Sequence, residues 1–400
     1  MSVVLDEQDL PAANGSAPPV PLLLAAVLAL ILSLAALKYS AHPFGWIAPC
    51  WVACFTYWAL FSRNVAVRRF CVNAAIIALG GGLCELILLH QNRVADSTRH
   101  YEGGPPVRHD WLGMAARPST VIHAWQTAGD KLVFDVRYTN DSFGLRLAPP
   151  APAEHSKGTV LFFGCSYAYG EGLNDDATLP HQVGVASDTS YRIVNFGGGG
   201  YGPHQMLSAL EHGLVERVVG RDSVRYAVYV AIPDHVLRAV GQVPFQRHAP
   251  RYRLASDGSA YFAGHFDDRP VHWLGRVHKQ FEKAALYHFW AYQVHRRGGF
   301  MDTNLHLYLG IVSRSRDILT AKYPGIRFEV LLWGDGSDLD QRIADGLARL
   351  RIPVHRVPDI LPGFEYYIRG SKYRLSPEDG HPDSAANAIL ARYVASRILK

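Results

Sequence analysis

Three short stretches of the sequence carry residue types suited to nucleophilic catalysis. Ser166 directly follows the apolar run Thr159–Phe163, the glycine-rich loop Asn195–Pro203 follows the next apolar run, and Glu378–His381 joins two carboxylates to a histidine. A serine hydroxyl becomes a nucleophile when an imidazole accepts its proton and a carboxylate orients that imidazole. The residue types are therefore those of acyl transfer through a serine ester.

The loop Asn195–Pro203 reads NFGGGGYGP. Glycine lets backbone N–H groups approach a developing oxyanion closely. A phosphate-binding loop is the rival interpretation, but the G-K-[ST] ending of such loops is absent. The loop therefore favours oxyanion stabilisation over nucleotide binding, and we expect no cofactor and no metal.

The elements that must position these residues alternate between β-rich and helical patterns. Such alternation predicts a parallel sheet with helices on both faces. The predicted strands are Thr159–Phe163, Tyr191–Asn195, Ala227–Ile232, Phe328–Leu332 and Val354–Val357, and the predicted helices are Thr178–Val185, Pro203–Val218, Thr303–Lys322, Ser337–Arg349 and Ser384–Leu399. In an open parallel sheet ligands bind at the carboxyl ends of the strands, which is where Ser166 and the glycine loop lie.

The order and spacing of the three stretches resemble the SGNH/GDSL hydrolase superfamily, over about Lys157–Lys400. The resemblance implies an α/β fold, a three-layer flavodoxin-like parallel sheet. It also implies that Ser166, in Gly-Cys-Ser where the family has Gly-Asp-Ser, is the nucleophile and that His381 is the general base. The backbone N–H of Gly200, five residues after Asn195, would join that of Ser166 in the oxyanion hole.

Two positions depart from the family pattern. The family's acid normally lies three residues before the histidine, which here is Glu378, whereas Asp379 lies two before it. Either carboxylate could orient the imidazole. The third motif, usually Gly-x-Asn-Asp, reads Ala231–Asp234 with Pro233 at the Asn position.

Pro233 has no side-chain amide to donate to an oxyanion. Losing one such donor typically costs about 10²–10³ in rate. Either His235 or another group replaces the amide, or the site is slow. His235 could equally be a helix-cap or structural residue.

The first 90 residues contain three apolar runs, Val20–Leu37, Phe44–Phe61 and Phe70–Leu89. Each is about long enough to span a bilayer. We therefore predict a transmembrane region over residues 20–90 with three helices. A cleavable signal peptide explains the first run less well, because the residues before it are acidic and contain no Lys or Arg.

The distribution of positive charge predicts the orientation of these helices. The connection Arg63–Arg69 holds three arginines, and positive loops stay in the cytoplasm. Residues 1–19 would then be a cytoplasmic tail, and the chain after Leu89 would be periplasmic in a bacterial inner membrane. Glu85 would lie near the outer end of the third helix, with its carboxylate reaching the interface.

The soluble part divides further by composition. Lys131–Arg146 alternates apolar and polar residues, so residues 100–150 are predicted to form a small β lead-in, and Pro149–Ser156 is a linker. Residues 157–400 would form the hydrolase-like domain, with an aromatic- and His-rich insertion at about 240–300 that is either a cap over the site or plain packing. The net charge of +5 includes no block of like charge, which disfavours nucleic-acid binding.

Together these features predict a membrane-anchored serine esterase that hydrolyses an O-acyl ester, an O-acetyl ester above all, on a cell-envelope carbohydrate. The carbohydrate is implied by membrane location and family analogy, not by a residue. One alternative is an O-acyltransferase, for which three helices need a partner such as a membrane acyltransferase or a polysaccharide-synthesis protein. Another is a non-catalytic polysaccharide-binding or assembly protein on the same fold.

Overall fold

The computed structural model describes residues 19–40, 42–93, 97–149, 157–242, 248–268, 281, 283–287, 289–290, 299–334, 336–364 and 371–400. The chain forms two compact units. The first contains Met1–Val94 and Val271–Val294, and the second contains Ala95–Pro270 and His295–Lys400.

Helices α1 (Pro19–Tyr39), α2 (Phe44–Phe61) and α3 (Val65–Arg93) make up most of the first unit. Each is long and apolar enough to cross a membrane by length and composition. Their number agrees with the sequence prediction. The third begins earlier than its apolar run, so that Arg68 and Arg69 lie in its first turns instead of in the preceding loop.

Five strands precede the main sheet and form the predicted β lead-in. They are β1 (Ser97–Glu102), β2 (Val107–His109), β3 (Gly113–Ala115), β4 (Thr120–Ala128) and β5 (Lys131–Asn140). Strands β1, β4 and β5 pair antiparallel in that order, and β2 pairs with β3. Buried residues of β4 and β5 alternate with more accessible ones, as the hydrophobic period of two predicts.

The main sheet is parallel and has five strands: β6 (Thr159–Gly164), β7 (Arg192–Asn195), β8 (Val224–Ala231), β11 (Arg327–Leu332) and β12 (Val354–Arg356). Their spatial order is β12-β11-β8-β6-β7. Read from the other edge, this is the 2-1-3-4-5 order of flavodoxin-like folds. The predicted three-layer α/β class is confirmed.

Helices cover both faces of this sheet. One face packs on α6 (Pro203–Glu211), α7 (Leu214–Val219), α8 (His235–Ala239), α9 (Gly299–Lys322) and α10 (Asp338–Arg349). The other packs on α5 (Leu179–Ala186), α11 (Val357–Ile360) and α12 (Ser384–Tyr393). The single helix predicted over Pro203–Val218 is wrong, because Gly213 takes a left-handed conformation with φ +68° and separates α6 from α7.

Four short strands lie outside these sheets. Strands β9 (Pro250–Leu254) and β10 (Ala260–His265) form an antiparallel hairpin within the predicted insertion. Strands β13 (Arg374–Ser376) and β14 (Asp379–Pro382) form a second antiparallel pair before α12. Much of the insertion, at 243–247, 269–280 and 291–298, falls outside the described residues.

Candidate active site

Ser166 stands at a sharp turn between β6 and the short helix α4 (Ser166–Tyr169). The turn depends on Gly164, whose φ of +149° disfavours other residues. A Cβ there would lie 2.7 Å from the carbonyl oxygen of Val230. The glycine therefore lets β6 pass close to β8 and still turn to place Ser166 at the carboxyl end of the sheet, with 8% of its surface exposed.

His381, on β14, connects Ser166 to a carboxylate. Its Nε2 lies 2.9 Å from Ser166 Oγ, and its Nδ1 lies 2.5 Å from Asp379 Oδ1. The same Asp379 oxygen accepts a 2.9 Å hydrogen bond from the backbone N–H of His381. A carboxylate beside Nδ1 favours the tautomer with its proton there, which leaves Nε2 free to accept the serine proton.

Asp379 is buried and held as an anion. Its second oxygen, Oδ2, lies 3.0 Å from Nη2 of Arg99 on β1. Burial of the carboxyl opposes ionisation, but the hydrogen bonds and charge from His381, together with the Arg99 guanidinium, outweigh it and hold the pKa of Asp379 well below its ordinary value. The arrangement keeps a negative charge next to the imidazole across the neutral pH range.

Glu378, the other candidate acid, faces a different partner. Its two carboxylate oxygens lie 3.2 and 3.1 Å from Nζ of Lys131 on β5. That side-chain hydrogen bond is the largest cause of the lowered pKa of Glu378. Of the two carboxylates left open by the sequence, Asp379 is the one in contact with the imidazole.

The residues next to Ser166 have structural contacts. The hydroxyl of Tyr167 donates a 2.8 Å hydrogen bond to the carbonyl of Gly380, in the turn between Asp379 and His381. Cys165 is fully buried in the apolar core beneath the sheet. Tyr167 thus fixes the His381 turn against the helix that carries Ser166.

The glycine loop packs against α4. The amide of Asn195 donates to the carbonyl of Ala168 at 2.9 Å, and its oxygen accepts the N–H of Gly197 at 2.9 Å. A Cβ at Gly197 would lie 2.7 Å from both Ala168 Cβ and Tyr169 N. Gly200 follows in this loop, with φ +76°. The close approach of loop and helix requires glycine at 197.

His235 does not face the site as an oxyanion donor. Its side chain is fully buried, and Nδ1 lies 2.6 Å from the hydroxyl of Tyr229 on β8. Burial and the neighbouring Arg238 and His204 hold the pKa of His235 well below its ordinary value, so the ring is neutral. A substrate oxyanion cannot reach a fully buried ring. The structure therefore does not support the prediction that His235 belongs to the oxyanion hole.

A cavity of about 500 Å³ lies beside the glycine loop in the second unit. Its walls include Gly197, Gly198, Glu171 and Tyr101, but neither Ser166 nor His381 lines it. Within the described ranges, no group of three His, Cys, Asp or Glu residues is placed to hold a metal ion.

Sequence reasoning missed the residues that brace the acid. Arg99 Nε donates to Gln126 at 2.7 Å, and its Nη1 lies 3.5 Å from Glu171, which also accepts the Tyr101 hydroxyl at 2.9 Å. Arg99 and Tyr101 belong to the lead-in, far from the motifs in sequence. The alternation of β1 side chains, which puts 99 and 101 on one face, was the signal available.

No family model matches the chain, and no curated protein matches it. Similar solved structures include a protein described as lipolytic, of the G-D-S-L family, from Desulfitobacterium hafniense DCB-2 (11% identity, 60% of this chain and 98% of that one, TM-score 0.33). Others are Est24, a carbohydrate acetylesterase from Sinorhizobium meliloti (10% identity, 61% and 99%, TM-score 0.33), and TesA (16% identity, 60% and 99%, TM-score 0.33). The 2-1-3-4-5 order of the sheet agrees with the flavodoxin-like fold predicted from the sequence.

Proposed function

We propose that this chain is a membrane-anchored serine esterase of the SGNH/GDSL type. The observation that carries the proposal is the chain of contacts from Ser166 Oγ through His381 to a buried, ionised Asp379. Such a chain activates a serine hydroxyl at neutral pH.

In the proposed reaction Ser166 Oγ attacks the ester carbonyl carbon while its proton passes to His381 Nε2. The resulting imidazolium is stabilised by Asp379. When the tetrahedral intermediate collapses, the bond to the alcohol oxygen breaks and His381 returns the proton to that oxygen. Water then attacks the acyl-serine by the same route, which releases the carboxylic acid and regenerates Ser166.

The oxyanion would be stabilised by backbone donors. We assign the N–H of Ser166, at the start of α4, and the N–H of Gly200, in the glycine loop. Pro233 supplies no side-chain donor at the third position, and His235 is buried with Tyr229. Because this site has one oxyanion donor fewer than the family pattern, we expect its kcat to be roughly 10²–10³ lower than that of a site with three donors.

The proposed substrate is an O-acyl, and above all an O-acetyl, ester of an envelope carbohydrate. The proposed location is the bacterial inner membrane, with the N-terminus cytoplasmic and the second unit periplasmic. The three apolar helices support membrane attachment. The Arg-rich start of α3 supports the orientation, because positive charge stays on the cytoplasmic side.

The test compares the detergent-solubilised full chain with Ser166→Ala and with Ser223→Ala, an exposed serine that serves as a matched control. We expect wild type and Ser223→Ala to be labelled by a serine-reactive fluorophosphonate and to hydrolyse an aryl acetate, and Ser166→Ala to do neither. If wild type is labelled but turns over the aryl acetate only after a sugar acceptor is added, the protein would instead be an O-acyltransferase. A folded wild type that is not labelled would overturn the serine mechanism and favour a non-catalytic binding protein.

A further inference from the structure

Glu85 of α3 has an unexpected role in the first unit. Only 2% of its surface is exposed, and its two carboxylate oxygens accept hydrogen bonds from the backbone N–H groups of Ala285 and Leu286, each at 2.8 Å. The sequence predicts a carboxylate that reaches the membrane interface; in the structure the carboxylate is buried and accepts backbone N–H groups. A carboxylate in an apolar bundle is costly unless it is hydrogen-bonded, and here both oxygens are.

Ala285 and Leu286 belong to a stretch described at residues 281, 283–287 and 289–290, which we call the return segment because the chain reaches it only after β10. Two further contacts tie this segment to the other helices. Lys283 Nζ donates a 2.7 Å hydrogen bond to the carbonyl of Leu37, in the last turn of α1. The ring of Phe281 stacks on that of Phe44, the first residue of α2, with centroids 5.9 Å apart.

These contacts place the return segment at one end of the three-helix bundle, where α1 ends and α2 begins. The cationic end of Lys283 beside a carbonyl of the last turn also suits the negative end of the α1 dipole. Three different interactions to three different helices fix the segment as part of the first unit.

The outward surface of the return segment is apolar. Ala284 and Ala285 are buried, whereas Phe281, Leu286, Phe289 and Trp290 are 40–58% exposed. At the same end of the bundle Tyr39 and Trp46 are also exposed, at 78% and 68%. Aromatic rings concentrate at the level where the hydrocarbon core of a bilayer meets the headgroups.

We propose that the return segment is a membrane-interface anchor, whose exposed aromatic and leucine side chains insert among phospholipids and continue the lipid-facing surface of α1–α3. The bilayer is the partner because the exposed apolar surface is continuous with helices that are themselves long and apolar enough to cross it. The return segment lies between β10 and α9 in the sequence, so the first unit is built from two separate parts of the chain. Glu85 holds the segment in place by accepting its backbone N–H groups.

The test uses the full chain in vesicles of phosphatidylethanolamine and phosphatidylglycerol, with p-benzoylphenylalanine placed at one position at a time. Phe289 is the test position. Leu28, in the middle of α1 and 56% exposed, is the lipid-facing control, and Tyr261, on β10 and 45% exposed, is the aqueous control. After irradiation, phospholipid adducts are measured by mass spectrometry.

We expect adducts at positions 289 and 28 and none at 261. In Glu85→Ala, the adduct at 289 should be lost while that at 28 is retained, because the backbone N–H groups of Ala285 and Leu286 lose their acceptor. An adduct at 28 without one at 289 would overturn the proposal. An unchanged yield at 289 in Glu85→Ala would overturn the role of Glu85.

Discussion

Asp379→Asn is the sharpest test of the site geometry. Both oxygens of the Asp379 carboxylate act as acceptors: Oδ1 takes the side-chain and backbone N–H groups of His381, and Oδ2 takes Arg99. An asparagine must turn its NH₂ group toward one of these donor sets. If the NH₂ group faces His381, it favours the wrong tautomer of the ring. If it faces Arg99, two hydrogen-bond donors face each other and the ion pair is lost.

Neutralising the acid of a Ser-His-Asp triad in this way lowers kcat about 10⁴-fold. We expect a loss of that order for Asp379→Asn in the steady-state hydrolysis of an aryl acetate, with KM little changed because the carboxylate does not touch substrate. The matched control is Glu378→Gln, which changes the contacts of this side chain with Lys131 and Ser376 and should keep kcat within about twofold, since exposed ion pairs contribute little. Equal losses in the two variants, or a larger loss in Glu378→Gln, would refute Asp379 as the triad acid.

Four further outcomes follow from the same contacts. Arg99→Met should lower kcat roughly tenfold with KM unchanged, because a charge-assisted hydrogen bond contributes about 1.5 kcal/mol or more; unchanged kinetics would show that Asp379 needs no cation. Gly197→Ala should abolish turnover, because the added Cβ would push the loop away from α4. Gly199→Ala has nothing within 4 Å of its Cβ and should have a kcat near that of wild type. Equal kcat values for the two variants would contradict this prediction. His235→Leu should lower Tm, since the buried hydrogen bond between His235 and the Tyr229 hydroxyl contributes about 0.5–1.5 kcal/mol, but should leave kcat of the folded protein intact; a hundredfold fall in kcat would restore an oxyanion role. Because the pKa of Asp379 is lowered by folding, its ionised carboxyl stabilises the folded state at pH values above 3.8, the ordinary pKa of an aspartate. This contribution to stability is lost as the pH falls below 3.8. The difference in Tm between wild type and Asp379→Asn should therefore become smaller in acid.

The positions of Ser166 and His381 could be predicted because each is attached to a regular element. Hydrophobic periodicity predicts the strand before Ser166 and the helix after His381, whereas the pairing of the two residues came from the resemblance to the SGNH/GDSL hydrolases. The choice between Glu378 and Asp379 could not be made in this way. It depends on the turn between β13 and β14, where the Ser376 hydroxyl accepts the backbone N–H groups of both acids and only one side chain turns inward.

Contacts between residues distant in sequence could not be predicted either. Arg99 and Asp379 are separated by 280 positions, and nothing local to either residue marks the pair. The return segment was expected to lie beside the sheet as part of the insertion. Its apolar and aromatic residues are compatible with either burial or lipid, and only its contacts with Glu85 and Leu37 assign it to the first unit.

The lead-in strands support the candidate site, although a proline-rich linker separates them from it in the sequence. The backbone of Arg146 bridges Asn140 at the end of β5 to Asn195 at the start of the glycine loop. Its guanidinium, fully buried, donates to the carbonyl of Leu173 at 2.7 Å and so holds the chain that follows α4.

Together with the contact between Arg99 and Asp379, these bonds make the lead-in touch every stretch that carries a candidate catalytic group. A buried guanidinium with several acceptors is costly to leave unpaired. A fragment starting at residue 157 would lack Arg99 and Arg146. It would therefore lose the contacts that these residues make with Asp379, with the chain after α4 and with the glycine loop. The part of the chain that supports the candidate site therefore includes β1 and does not begin at residue 157.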